Sequence, residues 1–146
     1  MKTPIRSLLL LLAFPALCSA QNPDPVLAKA ATETGAVVTD SGLVYLSLKE
    51  GNGASPTATN VVRVHYRGTF PGGKEFDSSY ARKQPAEFPL NRVIKCWTEG
   101  VQKIKVGGKA KLTCPSAIAY GTRGAGADIP PNATLLFEVE LLGIVK

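Results

Sequence analysis

The sequence predicts an α+β fold in which about five antiparallel strands surround one short helix. Three observations carry that expectation. The stretches Val61 to Thr69 and Leu135 to Leu141 alternate apolar and polar side chains, the period of a strand with one buried face. Ile94, Trp97, Val101 and Ile104 recur at spacings of three, four and three, which places them on one face of a helix of about three turns. The 14 glycines and 11 prolines among 146 residues supply the many turns a β-rich chain needs. A helix covering one face of a sheet is a stable two-layer arrangement, and a chain of this length has room for one such domain.

Taken in order, residues 1–20 stand apart. Lys2 and Arg6 precede an apolar run from Leu8 to Phe14, and the small residues Cys18, Ser19 and Ala20 follow. This order reads as a secretory signal peptide cut after Ala20, and the run is too short to span a bilayer. A lipid anchor on Cys18 is the rival, but Leu17 occupies the place where lipoprotein signals need a small residue. The chain is therefore expected in an exported compartment, the bacterial periplasm. Residues 21–40 read as an arm or linker. It opens on Asn22-Pro23-Asp24-Pro25 and has room for a short alanine-rich helix whose apolar face is too small to stabilise itself.

The folded domain is expected over residues 41–146. Leu43 to Leu48 forms a first strand, ended at Gly51-Asn52-Gly53. In the next, Val62, Val64 and Tyr66 face the core, while Arg63, His65 and Arg67 face out. Pro71-Gly72-Gly73 turns the chain before Phe76. Gly107 and Gly108 end the helix. Ala110, Leu112 and Cys114 then alternate with Lys109, Lys111 and Thr113, and Leu135, Phe137, Val139 and Leu141 form the buried face of the last strand. Ser78 to Glu87 and Pro115 to Thr134 have no clear period. A long structureless loop in a small domain is often functional.

Charge and motifs exclude several classes of chemistry. Without Lys2 and Arg6, 15 basic and 11 acidic side chains leave +4, scattered rather than gathered into the stripe that nucleic-acid binding requires. One histidine, His65, and no cysteine or histidine pair at ligand spacing leave no metal centre, and no cofactor is expected. No Cys-x-x-Cys, Gly-x-Ser-x-Gly or phosphate-binding loop occurs. Removal of the leader leaves Cys96 and Cys114. In an exported chain these favour a disulfide, worth about 3 kcal/mol on the chain-entropy account, over two buried thiols.

What remains is an unusual set of aromatic and small motifs. Val64-His65-Tyr66, Phe76-Asp77-Ser78-Ser79, Val93-Ile94 with Trp97 and Glu99-Gly100, Ala119-Tyr120-Gly121, Ile129-Pro130-Pro131 and Ala133-Thr134-Leu135 occur in that order. Together they resemble the FKBP-type peptidyl-prolyl cis/trans isomerases over roughly Gly42 to Lys146. The resemblance implies a twisted antiparallel sheet wrapped over the helix, and an apolar pocket for a substrate proline between them. It implies Trp97 as the floor, with Tyr66, Phe76, Val93, Ile94, Tyr120 and Phe137 as walls and Ile129 at the rim. It implies that the Ile94 N–H and the Tyr120 hydroxyl bind substrate carbonyls, and that Asp77, oriented by Tyr66 and Arg82, stands beside the twisting amide. The implied partners are proline-containing polypeptides in the course of folding, and macrolides such as tacrolimus or rapamycin. A proline-segment-binding chaperone module with incidental catalysis is the alternative. Ala86, Ala125 and Asp128 depart from bulkier or more apolar residues in relatives, so a more open rim is expected.

Overall fold

The computed structural model describes residues 24–146. The leader expected over residues 1–20, with Cys18, lies outside the described residues, as do residues 21–23 of the arm.

The described chain forms helix α1 (Pro25–Ala31), strands β1 (Val37–Val38), β2 (Val44–Lys49), β3 (Val61–Thr69), β4 (Glu75–Ser78) and β5 (Ala86–Pro89), helix α2 (Lys95–Val101), and strands β6 (Lys109–Cys114) and β7 (Leu135–Ile144). Every strand pairing is antiparallel, in the order β1-β2-β6-β7-β3-β4, with β5 sharing the outer edge of β3. Residues 67–69 of β3 pair with β4, and residues 61–64 pair with β5. The sheet thus has seven strands where about five were expected. The two additional ones are the short edge pieces β1 and β5. At two to four residues they are too short to display alternation, and Pro89 in β5 has no N–H to give to a ladder.

Alternation does its work on the long strands. Val62, Val64, Leu112, Leu135, Val139 and Leu141 are all fully buried, while Arg63 and Arg67 on the opposite face of β3 are exposed and paired with Glu87 and Glu75. The helix is two turns long rather than three. After Val101 the chain tightens, with the Lys103 and Ile104 N–H groups donating to the carbonyls three residues back. That tightening keeps Ile104 in the core, only 2% exposed, on the same face as Trp97 and Val101. Gly100 allows the helix to lie close on the sheet. A Cβ there would stand 2.7 Å from a Leu112 methyl.

Cys96 and Cys114 form a disulfide across this contact, tying α2 to β6, with both residues fully buried. The segment read as an arm packs onto the sheet. Asp24 caps α1 by accepting from the Val26 N–H at 2.9 Å, with Pro25 at the first helical position. The Asp24 carboxylate also accepts from the Thr134 hydroxyl, Glu33 pairs with Lys111 at 2.5 Å, and β1 adds to β2.

Candidate active site

The concave face of the sheet and helix α2 enclose a cavity of about 350 Å³. Trp97, brought inward by the helix periodicity, is its floor and is 4% exposed. Three rings stand upright around the indole. Tyr66 from β3 is at 5.2 Å and 83°, Phe88 from β5 at 5.6 Å and 90°, and Phe137 from β7 at 5.5 Å and 90°. Phe76 from β4 continues the wall, edge-on to Phe137 at 5.6 Å. Such edge-to-face pairs add about 0.5–1.5 kcal/mol each beyond burial. Gly68 on β3 makes room for Phe76, since a Cβ there would fall 2.5 Å from the ring. The Trp97 Nε1–H is buried with no hydrogen-bond partner among the described residues.

Polar groups enter this wall at few points. Asp77, in β4, lines the cavity. Its Oδ2 accepts from the Tyr66 hydroxyl at 2.5 Å, and its Oδ1 accepts from Arg82, whose second terminal nitrogen donates to the Tyr66 hydroxyl at 2.9 Å. Arg82 also lies over the Tyr66 ring, 5.7 Å from its centroid. Burial alone raises the Asp77 pKa. The hydrogen bonds from Tyr66 and Arg82 and the Arg82 charge outweigh it and hold the carboxyl below its usual range. At neutral pH Asp77 is therefore an anion that only accepts hydrogen bonds. The Tyr66 hydroxyl is pushed the other way, by burial first and by its bond to Asp77 second.

Tyr66 itself is clamped from behind. Ser79 is fully buried, and its hydroxyl accepts from the Tyr66 N–H at 2.7 Å, while its own N–H donates to the Tyr66 carbonyl at 3.0 Å. The same hydroxyl lies 2.9 Å from His65 Nδ1.

On the opposite side, Val93 and Ile94 line the cavity just before α2. The Ile94 N–H makes no hydrogen bond among the described residues. Tyr120 comes from the long β6–β7 connection. The residue is 38% exposed and its hydroxyl has no partner among the described residues. Burial, and then the Asp77 charge, raise its pKa, so it stays a donor. That connection is ordered by a tight hairpin in which Ala125 and Ile129 exchange backbone hydrogen bonds at 2.9 and 3.1 Å. Gly124, at φ +65°, turns it. A Cβ there would sit 2.2 Å from the Ile129 carbonyl oxygen.

Tyr66, Phe76, Asp77, Val93, Ile94, Trp97, Tyr120 and Phe137 thus meet around one cavity. Arg82 stands behind Asp77 and is not part of the lining. Ile129 does not line the cavity either. It is 6% exposed and packs into the core beneath its hairpin. Phe88 and Arg92 line the cavity and were not anticipated. The signal for Phe88 was present but weak, a lone aromatic between Ala86 and Leu90 in a stretch broken by Pro85 and Pro89. Among the described residues, no group of three or more metal-ligating side chains occurs, and no helix is long and apolar enough to cross a membrane.

Comparison with known proteins places this geometry. The family described as FKBP-type peptidyl-prolyl cis-trans isomerase matches residues 53–142. The isomerase FkpA of Aeromonas hydrophila is 55% identical over 120 residues, covering 82% of this chain and 44% of that protein. The FKBP-type 22 kDa isomerase of Escherichia coli is 52% identical over 115 residues, covering 79% of this chain and 56% of the relative. The chain spans about half the length of the curated relatives it matches. Among solved structures, FkpA from Escherichia coli superposes with a TM-score of 0.80 at 47% identity, over 82% of this chain and 56% of that one. A peptidyl-prolyl cis-trans isomerase from Pseudomonas syringae superposes at 0.78 and 37% identity, over 84% and 90%.

Proposed function

Because the chain belongs to the FKBP-type peptidyl-prolyl cis-trans isomerase family, we propose that its cavity accelerates rotation about X–Pro bonds in exported polypeptides as they fold. The observation that carries this reading is the aromatic cavity itself, closed below by Trp97 and furnished at its wall with a hydrogen-bonded Asp77.

The imide bond before proline has a barrier of about 18–20 kcal/mol, and its spontaneous isomerisation takes tens to hundreds of seconds. At the perpendicular twist, conjugation is lost and the carbonyl oxygen carries less negative charge. Water stabilises the planar, more polar form better. A proline ring seated on Trp97 between Tyr66, Phe76, Phe88 and Phe137 leaves that water behind, so the twisted form gains relative to the planar one. The Asp77 anion acts in the same direction, since it is least unfavourable beside a carbonyl that has shed negative charge. Tyr66 and Arg82 hold it in place. The Ile94 N–H and the Tyr120 hydroxyl, both without partners among the described residues, serve the flanking carbonyls and hold the bound chain bent. No proton changes hands. Lowering the barrier by about 7 kcal/mol corresponds to roughly 10⁵-fold acceleration, and only tighter binding of the twisted state is required.

The compartment follows from the leader-like residues 1–20, which support export to the periplasm. A macrolide with a proline-like ring fits the same chemistry and competes with peptide for the Trp97 floor. The small side chains at Ala86 and Ala125, beside the cavity rather than in its lining, are expected to alter the grip on a large macrocycle. Refolding of a reporter protein limited by a slow X–Pro bond tests the activity. The slow phase shortens in proportion to added protein and recovers when a macrolide is added. A slow phase whose rate is independent of the protein concentration contradicts the assignment.

A further inference from the structure

Of the residues that line the cavity, Asp77 and Arg92 carry charge. Asp77 is already compensated by Arg82 and Tyr66. Arg92 is exposed, and its side chain forms no ion pair or hydrogen bond among the described residues. Its backbone is nevertheless held firmly. It closes a single 3₁₀ turn, Leu90–Arg92, whose first residue is fully buried. The Leu90 N–H donates to the Asn60 carbonyl at 3.0 Å, and the Leu90 carbonyl accepts from the Thr98 hydroxyl at 2.5 Å. The next two residues, Val93 and Ile94, form the wall on which a peptide carbonyl is expected to rest. An uncompensated cation therefore stands on a fixed base beside the path of the bound chain.

We infer that Arg92 is a specificity-determining residue that favours an acidic side chain adjoining the substrate proline. The assignment rests on the isomerase reading above. An acidic neighbour finds a guanidinium that has no competing carboxylate to release, whereas a lysine or arginine neighbour meets a like charge. An exposed pair of this kind shifts selection by about 1.5- to 5-fold and is screened by salt.

The test uses pairs of short proline peptides that differ only by Glu, Gln or Lys immediately before the proline, or immediately after it. For each pair, kcat/KM is measured by exchange spectroscopy and Kd by titration, at low and high ionic strength. At one of the two positions the wild-type protein is expected to favour Glu over Gln by about 2- to 5-fold, with the ratio falling at high salt. Arg92→Gln brings the ratio towards one, and Arg92→Glu inverts it in favour of Lys. A wild-type ratio near one at both positions, or a ratio that survives Arg92→Gln, overturns the inference. Binding that discriminates without any catalysis sinks the isomerase reading and leaves the role of Arg92 standing.

Discussion

The Tyr66 hydroxyl donates to Asp77 Oδ2 at 2.5 Å, across the junction of two paired strands at the cavity wall. Arg82 bridges the same two groups, so phenol, carboxylate and guanidinium form a closed triangle. The triangle gives a carboxylate of fixed position with no proton to give. Its function in the proposed reaction is electrostatic, and each corner makes a separate prediction.

Asp77→Ala and Tyr66→Phe are expected to lower kcat/KM about 5- to 10-fold, which is roughly 1–1.4 kcal/mol of transition-state stabilisation. Arg82→Ala acts through Asp77 and is expected to cost less, because Tyr66 still holds the carboxylate. Circular dichroism should show all three folded. Unchanged kcat/KM in Asp77→Ala removes the triangle from the site.

The pH profile follows from the directions of the shifts. Asp77 sits below its ordinary value of 3.8, and Tyr66 and Tyr120 sit above theirs of 10.0. None of the three changes protonation between those limits, so kcat/KM is expected to be flat from about pH 5 to about pH 9. For stability the signs are opposite at the two ends. The depressed carboxyl contributes stability that is present above its unfolded value and lost as pH falls through its folded one. The raised phenols contribute stability present below their unfolded value and lost as pH rises through their folded one. A bell-shaped rate profile centred near neutrality would instead reveal an acid or base that this site does not contain.

The disulfide links the helix that carries Trp97 to the strand beside it. Replacing Cys96 and Cys114 together by alanine should cost about 3 kcal/mol, or about 10 °C in Tm for a domain of this size. Thermal unfolding with and without reductant checks it. Equal melting temperatures would contradict a structural bridge.

Gly68→Ala tests the packing of the wall. The added methyl must displace the Phe76 ring, so the variant should lose about 1–3 kcal/mol of stability together with activity. Because Trp97 is the one tryptophan of the chain, its emission reports the floor directly. A proline peptide should shift it in the wild type and shift it less in Gly68→Ala. An emission spectrum indifferent to saturating peptide would place the binding site elsewhere.

Much of this architecture was legible in the amino-acid order. The alternation of Val62, Val64 and Tyr66, and of Leu135, Phe137, Val139 and Leu141, is strong because each strand has one face in a fully apolar core. The helix face was legible for the same reason, but its end was not. Ile104 keeps the helical spacing while the backbone tightens from Gly100 onward, so side-chain periodicity outlasts the α-helix. Edge strands of two to four residues cannot display a period, which hid β1 and β5 and, with β5, the wall residue Phe88. Ile129 stands in a familiar motif, but motif order carries no direction, and the hairpin at Gly124 points it into the core. Arg92 had no signal of its own, since an isolated charge in a turn is ordinarily solvated.

Magnetisation-exchange NMR on a short X–Pro peptide tests the central claim most directly, because it observes the bond rotation without a coupled protease or a refolding partner. With catalytic amounts of protein, cis and trans resonances that exchange too slowly to couple on their own should exchange within about a second, and Asp77→Ala should slow that catalysed exchange about 5- to 10-fold. Exchange no faster than that of the free peptide, even at equimolar protein, would contradict the account.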